Sequence, residues 1–211
     1  RSALLFYKKL LGDLQAQGYT LNPYDPCVVN KIINKAIHTI IWHVDDLKAS
    51  HVQTIVNDKF VEWVKSTYAN DGVGQVKTSR GKVHQYLGMV LDFTEPGAVR
   101  INMEDYVVRM LESFPGGVHG TAATPAAQYL FSTRETAKLL GEEQAATYHT
   151  MVAKALFACK RARSDIQLAV AFLSTRVRNP DEDDWKKLLR MLKYLNGTKA
   201  LALKLTADNT S

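Results

Sequence analysis

Two adjacent carboxylates, Asp45 and Asp46, stand at the end of a largely apolar run at residues 40–44 and directly before another apolar residue, Leu47. Aspartate is a common turn residue, because its side chain bonds nearby backbone groups. The apolar flanks, however, predict that the pair lies at the edge of a core, where carboxylates without a partner are costly. A magnesium ion would offset this cost, since Mg²⁺ binds carboxylate oxygens and keeps other positions for water and phosphates. The pair is therefore a candidate metal site.

Three predicted strands position the two carboxylates. Residues 28–33 and 37–44 are rich in apolar and β-branched side chains, and they predict two strands joined by a short turn. A second, sharp turn at Asp45 and Asp46 leads to a third predicted strand at residues 47–50. Successive strand residues point to opposite faces of a sheet, so the two carboxylates point the same way only if the turn bends them. One of them is thereby favoured as the direct metal ligand, with the other beside it.

The rest of the chain predicts a mixed α+β fold. Residues 83–94 and 98–102 are strongly β-like and predict a hairpin around a turn at residues 95–97, and residues 201–206 predict a last strand. Asn102 is a predicted helix N-cap. Apolar residues recur at helical spacing in six segments, at residues 2–17, 53–68, 103–114, 142–159, 165–177 and 181–195.

The carboxylate pair also lies in a recognisable motif. The run His43-Val44-Asp45-Asp46-Leu47 resembles the Tyr-Val-Asp-Asp-Leu signature of reverse transcriptases, specifically those of copia-type LTR retrotransposons, with His43 in place of the usual tyrosine. Segments along essentially the whole chain resemble the same family: Phe6-Tyr7-Lys8-Lys9-Leu10, Gly18-Tyr19, Tyr24-Asp25-Pro26-Cys27, Tyr86-Leu87-Gly88-Met89, Arg163-Ser164-Asp165-Ile166 and residues 184–198.

This resemblance implies the second half of a polymerase palm followed by a mostly helical thumb and connection region. Residues 1–102 would form a partial palm of antiparallel β-hairpins with packed helices, which carries a catalytic hairpin and a primer-grip-like hairpin. Residues 103–120 would form a thumb helix and residues 121–141 a linker. Residues 142–211 would form a helical connection region. In the family this region precedes a ribonuclease H domain, which we do not expect in this sequence.

The activity that the resemblance implies is RNA-directed DNA synthesis. The primer 3′-hydroxyl attacks the α-phosphate of a nucleotide while two metal ions clamp the attacking and leaving oxygens. Asp45 would be the stronger Mg²⁺ ligand and Asp46 its supporting neighbour, with Mn²⁺ as a substitute metal. His43 would lie under the terminal base pair. Lys65 and Lys77 are both candidates for a general acid that protonates the leaving pyrophosphate.

A second motif is a candidate contact to the primer. By resemblance, Tyr86, Leu87 and Gly88 belong to the hairpin that grips the primer backbone near its 3′ end. A glycine in such a strand lets a nucleic-acid backbone approach closely. An ordinary strand with a bulge is the alternative interpretation of this tripeptide.

The positive charge of the chain is concentrated near its end. The formal net charge is +6, and residues 154–211 carry 12 basic against 6 acidic side chains, whereas residues 1–153 carry 15 of each. On the last predicted helix, Lys186, Arg190 and Lys193 form a stripe opposite the apolar face. This stripe fits contact with a duplex backbone, and it equally fits an ordinary solvated face.

Composition and family likeness together set the expected surroundings of the protein. No run of about eighteen apolar residues occurs, and the first residues predict an amphipathic helix rather than a signal peptide. We therefore expect an intracellular protein without a membrane partner, in which Cys27 and Cys159 are reduced. The resemblance implies an RNA template, a DNA primer, deoxynucleoside triphosphates and other Pol segments such as ribonuclease H and integrase as partners, in cytoplasmic virus-like particles.

Three interpretations of the function remain open at this point. The first is a reverse transcriptase portion of a Pol polyprotein; the family's upstream aspartate and Gly-Gln segment have no match here, so we expect a fragment that does not polymerise unaided. The second is a decayed or repurposed retroelement fragment that only binds nucleic acid. The third is another two-metal phosphotransferase such as a nuclease, whose further acidic ligands would come from Asp25, Asp71, Asp92 or Glu95.

Overall fold

The apolar patterns of the sequence produce two separate packing units. The computed structural model describes residues 2–68 and 76–207, and within them it contains two four-stranded antiparallel sheets and six α-helices. Contacts divide the chain into one unit at Arg1–Ser79 and another at Arg80–Ser211. The predicted α+β class is therefore confirmed.

The first unit contains one sheet and two helices. Its elements are α1 (Ser2–Ala16), β1 (Thr20–Leu21), β2 (Val28–Ile33), β3 (Ala36–His43), β4 (Asp46–Ser50) and α2 (Thr54–Tyr68). The strands lie side by side in the order β1-β2-β3-β4. Gly18 follows α1 with a φ of +82°, a left-handed conformation that ends helices and favours glycine.

The buried face of β3 anchors this unit. His38, Ile40 and Trp42 alternate along the strand and are at most 2% exposed. They face apolar side chains that recur at helical spacing on α1 and α2, namely Leu10, Leu14, Phe60 and Val64. Burying each such leucine or phenylalanine contributes about 1.5–3 kcal/mol. This alternation fixes the register, because a slip by one residue would turn Ile40 and Trp42 towards water.

The second unit combines one sheet with four helices. Its elements are β5 (Val83–Tyr86), β6 (Met89–Asp92), β7 (Ala98–Asn102), α3 (Glu104–Glu112), α4 (Glu142–Cys159), α5 (Gln167–Thr175), α6 (Glu182–Gly197) and β8 (Leu203–Thr206), with a 3₁₀ turn at Ser164–Ile166 before α5. The strand order is β5-β6-β7-β8, and Val99 of β7 pairs with Leu205 of β8. The helices enclose a core that includes Val107, Tyr148, Met151, Leu173, Leu188 and Leu192.

Two sequence predictions are wrong in detail. The predicted strand at residues 83–94 is two strands, because Leu87 and Gly88 have φ values of +51° and +76° and form a two-residue turn between them. The predicted N-cap is also displaced. Met103 occupies the N-cap position of α3, while Asn102 Oδ1 accepts a hydrogen bond from the Glu104 backbone N–H at 2.6 Å.

The regions implied by the family resemblance do not follow the boundary between the two units. Residues 1–102 are divided between both units, since β5, β6 and β7 belong to the second. The predicted linker at residues 121–141 contains no helix or extended strand, yet Leu130 within it is 3% exposed. In the same segment, the Lys138 carbonyl accepts a hydrogen bond from the Glu182 N–H at 3.0 Å. The assignment of palm, thumb and connection stays a prediction.

Two further observations concern the surroundings of the protein. Among the described residues, no helix combines the length and the apolar character needed to cross a membrane. Cys27 and Cys159 are free thiols, and they belong to different units.

Candidate functional site

The turn that carries the candidate metal ligands lies one residue earlier than predicted. β3 ends at His43 and β4 begins at Asp46, and these two residues face each other across the hairpin. The loop therefore consists of Val44 and Asp45 alone. Val44 has a φ of +57°, which a β-branched residue rarely adopts. Pairing of the strands on both sides holds this conformation in place.

Both candidate carboxylates are exposed, so their expected position at the edge of a core is wrong. Asp45 and Asp46 lie beyond the Trp42–Leu47 pair, of which Trp42 is 2% exposed. Neither carboxylate forms a hydrogen bond or an ion pair with any of the residues 2–68 and 76–207. Solvated carboxylates are stable without a cation. The argument for a metal must therefore come from the chemistry of the two ligands rather than from burial.

The two carboxylates fit part of a magnesium site. Asp46 lies on the same sheet face as His43, because cross-strand partners share a face, and Asp45 precedes it in the loop. Magnesium at phosphate-processing sites uses one or two carboxylates, and waters and substrate phosphates complete its coordination. The described residues contain no cluster of three or more His, Cys, Asp or Glu side chains that could hold a metal. The hairpin thus offers a partial, open site.

The acidic residues that a nuclease would need have other roles or lie elsewhere. Asp25 Oδ1 accepts a hydrogen bond from the Cys27 N–H at 2.8 Å. In the second unit, Asp92 bonds the Thr94 N–H at 2.8 Å and Glu95 bonds Lys204 at 2.5 Å. Asp71 lies outside the described residues. The two candidate general acids, Lys65 and Lys77, are exposed in the first unit.

A buried polar network behind the hairpin has no counterpart in the sequence predictions. His38 Nδ1 lies 2.6 Å from the Tyr19 hydroxyl, and His38 Nε2 lies 3.2 Å from Asn57 Oδ1. An amide oxygen only accepts, so Nε2 donates to Asn57, and in the neutral ring, which burial favours, Nδ1 accepts from the Tyr19 hydroxyl. Burial lowers the pKa of His38 below its ordinary value of 6.5 and raises the pKa of Tyr19 to about 12. The burial of His38 could have been predicted from the sequence, because residues 38, 40 and 42 alternate along one strand and so share a face with the apolar Ile40 and Trp42.

The predicted primer-contact motif forms the turn between β5 and β6. Gly88 takes a left-handed conformation, and a Cβ at this position would lie 3.7 Å from the Phe157 ring of α4. That ring in turn stacks on Tyr106 with centroids 4.9 Å apart. The Phe157 distance is an ordinary van der Waals contact, so it is the left-handed conformation of the turn that favours glycine here. The alternative of a continuous strand with a bulge is wrong, because Leu87 and Gly88 reverse the chain.

The predicted basic stripe lines an open groove in the second unit. One wall is α6, and the other is part of the chain at residues 118–124, which we call the 118–124 segment. The groove has a volume of about 420 Å³. Its lining residues include three cations and no carboxylate: Thr121, Ala122, Ala123, Lys186, Leu189, Arg190 and Lys193.

Specific contacts hold the 118–124 segment against α6. Asn196 Nδ2 donates to the Gly120 carbonyl at 3.0 Å, and Arg190 Nη2 donates to Thr124 Oγ1 at 2.9 Å. A Cβ at Gly197 would lie 3.1 Å from Thr121, which is too close for an unrelaxed side chain. Gly197 therefore has a packing role. It belongs to Leu195-Asn196-Gly197-Thr198, the Leu-x-Gly-Thr end of the family-like residues 184–198.

Part of the basic excess is used inside the second unit. The Arg163 side chain is 1% exposed, and its Nη2 lies 2.8 Å from Asp165 and 2.7 Å from Thr198 Oγ1. Arg176 Nε bonds the buried Asp184 at 2.9 Å. Lys187 is also buried and donates to a backbone carbonyl at 2.6 Å. Because internal partners hold these cations, they are not available to bind phosphates at the surface. The basic surface is therefore smaller than the charge count predicts.

The structure brings only some of the predicted site residues together. His43, Asp45 and Asp46 lie side by side in the first unit. Tyr86, Leu87 and Gly88 form a turn in the second unit, and the basic stripe belongs to that same unit.

Comparison with known proteins identifies similar transposon proteins. No protein-family model and no solved structure matches the chain. The chain is 25% identical over 167 residues to the Saccharomyces cerevisiae protein named "Putative transposon Ty5-1 protein YCL074W". The match covers 78% of this chain and 51% of that protein. It is also 25% identical over 200 residues to the "Retrovirus-related Pol polyprotein from transposon TNT 1-94" of Nicotiana tabacum. This match covers 92% of this chain and 14% of that protein.

These similarities support a retrotransposon origin for the chain. The chain spans about half the length of the first relative and about a seventh of the second. Both relatives are longer than the parts that match this chain, so the activity of the matched region is a separate question.

Proposed function

We propose that the chain is part of the RNA-directed DNA polymerase, or reverse transcriptase, of a copia-type retrotransposon Pol polyprotein. The observation that carries the proposal is the β3–β4 turn, which presents Asp45 and Asp46 to solvent next to His43. Neither carboxylate has a hydrogen-bond or ion-pair partner in the part of the chain that the structure describes. The likeness of this turn to the family signature and the similarity to transposon proteins support the same assignment.

The proposed chemistry is nucleotidyl transfer with Mg²⁺, for which Mn²⁺ can substitute. Asp45 would be the stronger ligand of the metal and Asp46 its supporting neighbour. A metal held there would supply Lewis-acid chemistry for the transfer of the nucleotidyl group to the primer 3′-hydroxyl. His43 lies under the terminal base pair, where its ring offers a smaller stacking surface than tyrosine does.

The proposed partners follow from the same assignment. An RNA template and a DNA primer are held by the turn at Tyr86, Leu87 and Gly88 and by the stripe of Lys186, Arg190 and Lys193. Other Pol segments, ribonuclease H and integrase among them, would accompany the polymerase in cytoplasmic virus-like particles. An aspartate from an earlier strand, as the resemblance implies, would complete the metal site.

Primer extension on an RNA template tests the proposal. The assay compares the 211-residue chain with the same chain joined to a reverse-transcriptase palm segment that supplies the additional aspartate, each with Mg²⁺ or Mn²⁺. We expect synthesis by the longer protein and none by the shorter. Replacement of a metal ligand by Asp45→Asn should lower the rate more than roughly 100-fold, because even outer-shell partners of a metal contribute 10–100-fold.

The matched control is Asp105→Asn, which removes the same charge from an exposed position in the first turn of α3. This variant should extend primers at the rate of the unchanged protein. Equal activity of Asp45→Asn and Asp105→Asn would contradict the proposal.

Nucleic-acid binding without synthesis is the second candidate function, and the groove on α6 favours it. This function predicts that neither metal supports synthesis by any form of the protein, while salt-sensitive binding of a duplex persists.

A further inference from the structure

We propose that the exposed face of α5 is the interface of a symmetric dimer, in which it packs antiparallel against the same face of a second copy of this chain. The inference goes beyond the proposed function, because the contact requires neither a metal nor a nucleic acid. It also uses none of the residues to which catalysis or nucleic-acid binding has been assigned.

The apolar surface at α5 is the first argument. The nine residues of this helix include no charged side chain. One side of the helix faces the core, whereas Leu168 on the other side is 59% exposed and Ala171 is exposed as well. Phe131, which is 62% exposed, meets the Phe172 ring edge-on with centroids 5.6 Å apart. Apolar patches of this kind on a protein surface mark interaction sites.

The rigid support of the two aromatic rings is the second argument. Leu130 is 3% exposed and anchors the chain beside Phe131. The Ser132 carbonyl accepts a hydrogen bond from the buried Lys187 Nζ at 2.6 Å, and the same ammonium lies 4.6 Å from the centre of the Phe172 ring. Because both rings are held in place before a partner arrives, they lose little side-chain freedom on association.

The distribution of charge favours a second copy of the chain as the partner. The chain carries a net charge of +6, so two copies repel each other over much of their surface, whereas the face of α5 brings no like charges together. Leu168, Ala171 and Thr175 are exposed at successive steps of three and four residues, which is the spacing of a helix–helix seam. In an antiparallel pair, Ala171 lies close to its own counterpart and Leu168 packs against Thr175 of the second copy.

The charges beyond the two ends of α5 complement each other only in the antiparallel arrangement. Asp165 lies three residues before Leu168, and Arg178 lies three residues after Thr175. Arg163 binds Asp165 from the inside, yet 25% of the Asp165 side chain stays exposed, and Arg178 is exposed. An antiparallel pair therefore places Asp165 of each copy near Arg178 of the other, whereas a parallel pair would place Arg178 against itself.

The size of the surface sets the strength of the association. One short helix and one neighbouring aromatic ring provide less than the roughly 800 Å² per partner that a stable complex buries. We therefore expect a reversible dimer with a Kd of the order of 10 µM, as is typical of transient interfaces.

Sedimentation equilibrium of the full chain, at concentrations from about 1 to about 300 µM around this expected Kd, tests the proposal. The mass should rise from that of a monomer towards that of a dimer. Ala171→Glu should raise Kd more than about tenfold, because the dimer would bring two carboxylates together. The control Ala153→Glu adds the same charge at an exposed position of α4 and should change Kd less than about threefold, since salt screens distant charges. A monomeric mass at every concentration, or equal effects of the two variants, would overturn the proposal.

Cross-linking locates the symmetry axis without adding a charge. In a Cys27→Ser background, in which the remaining Cys159 is buried, mild oxidation should link Ala171→Cys protein into covalent dimers. Thiols near the axis meet within the Cα separation of about 4.4–6.8 Å that a disulfide requires. Ala153→Cys protein should be linked at least about tenfold more slowly, because its thiols lie beyond that separation. Equal rates for the two proteins would assign any dimer to another surface and overturn the proposal.

The outcome is separable from that of the polymerase assay. The Asp45→Asn protein should dimerise like the unchanged chain, with or without EDTA. Dimers that depend on Ala171 in a protein without synthesis would support this proposal and contradict the polymerase, whereas synthesis by a chain that stays monomeric at every concentration would do the reverse.

Discussion

Val44, in the turn that carries the two carboxylates, adopts a backbone conformation that is rare for β-branched residues. Its φ of +57° lies in the left-handed region, and its side chain is 55% exposed. For an L-residue this conformation costs about 1–2 kcal/mol. Strained backbone persists where the surrounding structure imposes it, and it is common at functional sites. The turn between His43 and Asp46 therefore stores strain at the place where the proposed metal binds.

Replacing Val44 by a residue that tolerates the left-handed region should release this strain. We expect Val44→Asn to raise the free energy of unfolding of the first unit by about 1 kcal/mol, because asparagine enters this region at lower cost. Urea unfolding followed by tryptophan fluorescence measures the change. The control Val52→Asn alters a valine that is 83% exposed and has no positive φ, and it should stay within about 0.5 kcal/mol. A loss of stability in Val44→Asn would show that the turn is not strained.

At the scale of elements, a buried arginine joins the 3₁₀ turn to the end of α6. Arg163 binds Asp165 through two nitrogens, and it also donates to the Thr198 carbonyl at 2.9 Å. Its guanidinium lies 5.7 Å from the centre of the Tyr194 ring. The two family-like segments, Arg-x-Asp-Ile and Leu-x-Gly-Thr, thus meet in one clamp.

Removal of this arginine should destabilise the second unit strongly. We expect Arg163→Ala to lower its free energy of unfolding by about 2–4 kcal/mol, since the change leaves a cavity at a fully buried position and removes the hydrogen bonds to Thr198. Thermal or urea unfolding measures the loss. Arg178→Ala, at an exposed arginine fifteen positions further along the chain, should change stability by less than about 0.5 kcal/mol. Similar small changes in both variants would mean that the clamp does not support the fold.

The sequence predicts those elements whose signals are local. The segment predicted as a helix at residues 142–159 coincides with α4, because its apolar spacing lies within the segment itself. The turn at Leu87 escapes prediction, since leucine gives no sign of a positive φ. The burial of Arg163 depends on Thr198, which is 35 residues away. Exposure of Asp45 likewise depends on which other elements cover the turn, and alternation along one strand carries no such information.

At the scale of the whole molecule, mild acid should destabilise the first unit. His38 is neutral and buried in the first unit, and burial lowers its pKa from 6.5, with His51 and Lys31 adding repulsion against the charged form. The unfolded chain therefore binds a proton more readily than the folded one, and stability falls as the pH drops below about 6.5. Asp13, whose pKa is lowered chiefly by its bond to Lys9, adds a loss only at much lower pH, below 3.8.

A pH series of urea unfolding tests this prediction. Fluorescence of Trp42 and Trp63 in a Trp185→Phe background reports on the first unit alone. Between pH 7.5 and 5, the first unit should lose up to about 1.4 kcal/mol per pH unit. In His38→Asn protein this slope should become much smaller, whatever the overall stability of the variant. An unchanged slope would assign the acid sensitivity to other groups.

The pairing of β7 with β8 sets the order in which the chain can fold during its synthesis. Val99 meets Leu205, so the second sheet is completed only when nearly the whole second unit has left the ribosome. The first unit depends on contacts within Arg1–Ser79 and can form while the rest is still being made. Contacts of such long sequence separation form slowly, because a long loop must close first. Until then β7 keeps an open edge, and this is the period in which the nascent protein is most exposed to aggregation.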